Sequence, residues 1–99
     1  MRLSDEQQTI IREEVARAFG PDAHVKLFGS RVDDTARGGD IDLYIEADGT
    51  PNDLLDRELR LSAALQRRLG ERRVDIVVHP RGTPHRPIDA HADRTGVAL

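Results

Sequence analysis

Ile10, Ile11, Val15, Ala18 and Phe19 recur at helical spacing behind Ser4-Asp5-Glu6-Gln7, where Ser4 reads as an N-cap and Gln7 completes a capping box. The pattern predicts a first helix that Gly20-Pro21 ends. A second helix starts at Thr50-Pro51-Asn52-Asp53, with Thr as N-cap, Pro at the first helical position and an acid in the first turn, and runs to Leu69 before Gly70. At about 100° per residue, Leu54, Leu55, Leu59, Leu61, Ser62, Leu65 and Leu69 fall within an arc of roughly 160°, which predicts a core-facing stripe. Glu58 lies inside that arc with no role that the pattern explains.

Shorter apolar runs alternate in the manner of strands. His24 to Phe28 puts Val25 and Leu27 on one face, and Asp40 to Glu46 puts Ile41, Leu43 and Ile45 opposite Asp40 and Asp42. Between them, 31–36 predicts a helical turn or two and Arg37-Gly38-Gly39 a flexible turn. Arg72 to Val78 is nearly continuous in apolar content after its arginines, which predicts a central strand buried on both faces. By parity Asp75 shares a face with Val77 and His79. A Pro/Gly-rich loop follows over 79–87, then a short helix over 88–94 and an edge strand over 97–99. The chain reads as a single domain over residues 1–99, with no repeat or low-complexity run.

Composition narrows the functional classes. Fifteen Lys plus Arg against eighteen Asp plus Glu give a net charge of −3, a poor footprint for a stable nucleic-acid binder. There is no cysteine, so thiolate metal sites and disulfides are excluded. The apolar runs are too short for a membrane span, and the N-terminus lacks a signal-peptide core. A cytoplasmic protein is expected. Phe19, Phe28 and Tyr44 are the aromatic residues, so the core must be aliphatic.

The candidate chemistry lies in Phe28-Gly29-Ser30 and Asp40-Ile41-Asp42. On a strand Asp40 and Asp42 project from one face with Cα atoms roughly 6 to 7 Å apart, from which both carboxylates reach a pair of divalent ions. Gly29 lets the backbone approach a phosphate closely, and Ser30 adds a hydroxyl beside exposed N–H groups. An Asp-x-Asp alone is also what two solvated acids at a strand start look like; the Gly-Ser at this distance and a third acid, Asp75, on another apolar strand favour the catalytic reading. Asp75 would otherwise pair with Arg72 or Arg73, and Gly29-Ser30 would be a turn and an N-cap. The six-residue spacings between His79, His85 and His91 match no helical or strand ligand pattern, so no zinc site is assigned. The basic loop around Arg81 and Arg86 suits a nucleotide, an acidic partner or solvent.

Phe28-Gly29-Ser30, nine residues, then Asp40-Ile41-Asp42-Leu43 resembles the signature of the DNA polymerase β-like nucleotidyltransferase superfamily. Arg73-Val74-Asp75-Ile76-Val77-Val78 offers its third carboxylate, and Gly96-Val97-Ala98-Leu99 its closing strand. Length and the Gly29-Ser30-Arg31 spelling look most like the minimal nucleotidyltransferases, the MNT proteins that accompany HEPN-domain proteins in prokaryotic toxin–antitoxin pairs. One departure is that Gly38-Gly39 precede Asp40, where many minimal members carry a serine. The resemblance implies an α+β fold with a small mixed sheet and helices packed on one side, catalysis and metal binding by Asp40, Asp42 and Asp75, and nucleotide binding by Gly29, Ser30 and Arg31. Arg31 would lie over the triphosphate or toward the acceptor, and a solvated helix-face arginine fits it equally.

The implied reaction is transfer of AMP from ATP, with two Mg²⁺ ions or Mn²⁺, to a tyrosine hydroxyl of a HEPN ribonuclease toxin, which is thereby neutralised. The expected partners are that toxin, in a hetero-oligomer, and ATP; neither nucleic acid nor membrane is expected. Two other readings stay open. One is a non-enzymatic antitoxin that masks the toxin by binding. The other is a small-molecule nucleotidyltransferase of the aminoglycoside-modifying kind, with a separate acceptor subunit.

Overall fold

The fold follows from a computed structural model that describes residues 3–28, 41–70 and 73–99. In chain order these form α1 (Asp5–Phe19), β1 (His24–Phe28), β2 (Ile41–Ala47), α2 (Pro51–Leu69), β3 (Val74–Pro80), α3 (Pro87–Thr95) and β4 (Val97–Ala98). Both long helices begin where their caps require. Gln7 N donates to Ser4 Oγ at 3.1 Å and Ser4 N to Gln7 Oε1 at 3.0 Å, and Asp53 N donates to Thr50 Oγ1 at 3.2 Å. Both end on a glycine with positive φ, Gly20 at 95° and Gly70 at 85°, a conformation that costs other residues more. The helical turn expected over 31–36 and the turn over 37–39 lie outside the described residues.

The strands form one mixed sheet in the order β3-β2-β1-β4. β1 pairs antiparallel with β2 and β4, while β2 and β3 run parallel with α2 as their crossover. β3 is therefore an edge strand, which corrects the central position expected from its apolar run. It is apolar on both sides because both faces are covered: Val74, Ile76 and Val78 pack on the main core, and Val77 packs on the opposite face against Tyr44, Phe28 and Ala92. It also starts at Val74 and extends to Pro80, so His79, expected in a loop, is a strand residue; prolines are tolerated at sheet edges.

The main core lies between α1, α2 and one face of the sheet. Ile11, Val15, Leu61 and Leu65 from the helices meet Leu27, Ile41, Leu43 and Ile45 from the strands. The helices are further joined by Glu14, buried on α1, which accepts from Arg68 Nη1 at 2.8 Å and Arg17 Nη1 at 3.2 Å. The buried stripe of α2 is narrower than expected, since Leu55 and Leu59 are 54% and 59% exposed. They occupy the shoulder of the predicted arc, beyond the reach of the sheet. Glu58 sits at the margin of the stripe, half-buried in a cleft with Leu54, Leu55, Val78 and Pro84, and burial raises its pKa.

α3 lies on the other face of the sheet, so the fold adds one short helix opposite the two long ones. Ala92 packs on Phe28 and Tyr44. Lys26 Nζ donates to Asp93 Oδ1 at 2.6 Å and to its carbonyl at 3.0 Å, tying the helix to β1. Among the described residues no helix is long and apolar enough to cross a membrane.

Candidate functional site

Strand register divides the α3 face into three cross-strand rows. Phe28, Asp42 and Asp75 stand side by side in the first, Lys26, Tyr44 and Val77 in the second, and His24, Glu46 and His79 in the third. α3 packs on Phe28 and Tyr44 through Ala92 and reaches His79 through Asp89. The acids of the first row sit at the end of the sheet where β1 finishes and β2 and β3 begin.

Asp42 and Asp75 are register partners. Parallel neighbours lie about 4.8 Å apart, and opposed residues point to the same face, so the two carboxylates share one patch. Asp42 is half-buried. The Asp75 side chain is 46% exposed, and Arg73 Nε approaches its Oδ1 at 3.4 Å from an exposed position of its own. This is the Arg pairing that the sequence allowed, made long and in solvent, where such pairs are weak. It leaves Asp75 accessible, and a position on the edge strand removes the desolvation cost expected of a central one. An all-oxygen pair of this kind fits a hard divalent cation.

The other sequence candidates, Gly29, Ser30, Arg31 and Asp40, lie outside the described residues. Covalent connection alone places Gly29 next to Phe28 and Asp40 next to Ile41. Both neighbours are buried, and Phe28 is the register partner of Asp42.

The third row holds a group that sequence spacing missed. Glu46, His79 and His85 each bring one donor atom to within 4.8 Å of the others. Helix and strand periodicities do not reveal it, because Glu46 and His79 meet across a strand pair and His85 returns from the loop after β3. Parity, which put His79 on the face of Asp75, was the available signal. His79 is buried, with Nδ1 3.2 Å from Asp89 Oδ2 and Nε2 3.0 Å from the Thr83 carbonyl. Asp89 is itself fully buried. It accepts from Arg86 Nε at 2.9 Å, Nη2 at 3.0 Å and backbone N at 2.9 Å, and the Arg86 bonds hold its pKa down at about 2 despite burial. Both loop arginines are thus engaged within the chain. Arg81 Nη1 donates to Asp48 at 2.9 Å and Nη2 to the Asp22 carbonyl at 2.7 Å.

Between the two ends lies Tyr44, stacked at 6.4 Å on His79. Its hydroxyl is buried with no hydrogen-bond partner among the described residues. Burial first, then the nearby Glu46, Asp89 and Asp93 carboxylates, push its pKa up to about 12.

A mixed four-stranded sheet with two long helices on one face and side-by-side acids at the start of β2 and β3 is the architecture of a nucleotidyl-transferring domain. Residues 9–95 match the nucleotidyltransferase domain family, and the chain belongs to it. No curated protein matches the chain significantly. The fold is that of the polymerase β-like nucleotidyltransferases, and members of this family generally use a divalent metal and a nucleotide.

Proposed function

We propose that the chain transfers AMP from ATP to a hydroxyl of a protein partner, a tyrosine of a HEPN ribonuclease toxin, and so acts as the antitoxin of a pair. The observation that carries this reading is the exposure of Asp75. Its side chain is 46% exposed on the edge strand and meets Arg73 at 3.4 Å in solvent, so an acceptor carried by a docked partner has access to it. Orientation supplies much of the rate in phosphoryl transfer, and a docked partner would supply it here. The resemblance to minimal nucleotidyltransferases supports the choice of partner.

Asp42 and Asp75, with Asp40, would hold the divalent ions, Mg²⁺ or Mn²⁺. When bound, these ions neutralise the triphosphate and acidify the attacking hydroxyl. Backbone N–H groups at Gly29 and Ser30 and the serine hydroxyl would hold the β- and γ-phosphates, leaving the α-phosphorus open to attack. The acceptor oxygen then forms a bond to that phosphorus, the bond to the β-phosphate oxygen breaks, and pyrophosphate leaves. Asp75, on the accessible side, takes the hydroxyl proton.

Mass spectrometry of the chain co-expressed with a HEPN partner tests the proposal. AMP-sized additions on a partner tyrosine that vanish with Asp42→Asn are expected. A silenced but unmodified partner would overturn it in favour of masking by binding.

A further inference from the structure

We propose that Glu46, His79 and His85 form a second cation site, for a transition-metal ion of the zinc class, at the end of the sheet opposite the paired acids. Asp42 and Glu46 are four residues apart on β2, about 13 Å, so this site is separate from the nucleotidyl-transfer row and does not depend on it.

The geometry of His79 is the first argument. Both of its ring nitrogens face oxygen, Asp89 Oδ2 at 3.2 Å and the Thr83 carbonyl at 3.0 Å, yet a neutral imidazole carries only one N–H. Asp89 is anchored by three bonds from Arg86 and is the stronger acceptor, so it takes Nδ1–H. Nε2 then presents its lone pair toward the Thr83 carbonyl at 3.0 Å and the Thr83 hydroxyl at 3.4 Å, and is the ring nitrogen left to donate to a cation. A carboxylate that orients an imidazole through one nitrogen while the other binds a metal is the common support of a histidine ligand.

The second argument is convergence. The ring of His85 stands 4.4 Å from that of His79, edge-on at 63°, and Glu46 closes the third side. Two imidazoles and one carboxylate are a donor set that one cation can share. The donor atoms lie within 4.8 Å of one another, and a shell with bonds of about 2.0 to 2.2 Å needs them roughly 3.3 Å apart. His85 is exposed on a loop and can close that gap. His24 is in register with Glu46 in the same row and is exposed.

Donor type sets the ion. Imidazole nitrogens with one carboxylate favour Zn²⁺, Co²⁺ or Ni²⁺, whereas the all-carboxylate row favours Mg²⁺ or Mn²⁺. The two ends of one sheet face would thus sort two kinds of cation. An ion at Glu46, His79 and His85 would pin the loop after β3, and with it the N-terminus of α3, to the sheet.

Tag-free, chelator-stripped chain is titrated with Zn²⁺ by calorimetry and with Co²⁺ by visible absorption, in excess Mg²⁺. One Zn²⁺ per chain, an intense tetrahedral Co²⁺ band and a raised Tm are expected. His85→Ala and Glu46→Gln, both at accessible side chains, should each weaken binding at least about tenfold, while Asp42→Asn should leave it unchanged. Absence of binding, or binding indifferent to His85→Ala and Glu46→Gln, would overturn the site and leave His79 as a buried side chain held by Asp89.

Discussion

Asp42 and Asp75 occupy one register position on adjacent parallel strands, so two carboxylates from chain segments thirty-three residues apart leave the same face side by side. α2 is what makes this possible. A parallel pair needs a crossover, and the helix that supplies it buries Leu54, Leu61 and Leu65 on the opposite face. The acids are thereby fixed by the core without belonging to it.

Replacing either acid should remove transfer and spare the fold. A lost ion ligand withdraws several kcal/mol of charge stabilisation, on the order of a thousandfold in rate. Labelled ATP should mark the acceptor with the parent in Mg²⁺, and not with Asp42→Asn, with Asp75→Asn or after chelation. Circular dichroism of both variants should match the parent. An Asp42→Asn variant with parental turnover would mean that the acid row is not the transfer site.

The buried Asp89 should make the chain sensitive to acid. Its pKa is lowered to about 2 by Arg86, against about 3.9 in an unfolded chain. The folded state therefore prefers the ionised group. The contribution is full above about pH 4 and is lost as pH falls through about 2; it amounts to about 2 to 3 kcal/mol. Asp89→Asn should melt below the parent at neutral pH, with the gap shrinking between pH 4 and 2. A gap that stays constant over that range would show that Arg86 does not stabilise the carboxylate.

Both long helices were legible in the sequence because their ends are written locally: Ser4 with Gln7, Thr50 with Pro51, and a glycine at each C-terminus. The placing of Asp42 opposite Ile41, Leu43 and Ile45 was legible from strand parity for the same reason. Strand order was not, since pairing is chosen by non-local contacts. Val74 to Val78 reads as a central strand because the sequence reports how many faces are covered, and not how many neighbours are hydrogen-bonded. Leu55 and Leu59 show the converse limit: helical phase gives a direction, while the width of the sheet beneath decides which side chains it covers. The meeting of Glu46, His79 and His85 needed both the β2–β3 register and the return of a loop.

The α1–α2 contact should depend on Arg68 more than on Arg17. Glu14 is buried, and Arg68 meets it at 2.8 Å while also reaching Glu13 at 3.0 Å; Arg17 is longer and exposed. Arg68→Met keeps much of the side-chain length but leaves a buried carboxylate under-satisfied, which lowers stability. Urea unfolding should show that loss, a smaller one for Arg17→Met, and substantial recovery in Glu14→Leu/Arg68→Met. A double variant no better than Arg68→Met alone would place the cost elsewhere.

Tyr44→Phe should stabilise the metal-free chain and change its response to alkali. The hydroxyl is buried without a partner among the described residues, and removing an unsatisfied polar group recovers about 1 kcal/mol. The parent Tyr44 pKa is raised to about 12, chiefly by burial and then by Glu46, Asp89 and Asp93, whereas an unfolded tyrosine titrates near 10. The folded state thus prefers the protonated form. Stability held through that proton is full below about pH 10 and is lost as pH rises toward 12, because only the unfolded chain ionises readily in that interval. Other groups titrate there as well, so the informative quantity is the difference between parent and Tyr44→Phe, followed by chemical denaturation in chelator. That difference should favour the variant by about 1 kcal/mol at neutral pH and widen by a further 2 to 3 kcal/mol, by about 1.4 per unit, between pH 10 and 12. A difference that stays flat would mean that solvent reaches the hydroxyl, and one that favours the parent at neutral pH would mean that the hydroxyl has a hydrogen-bond partner.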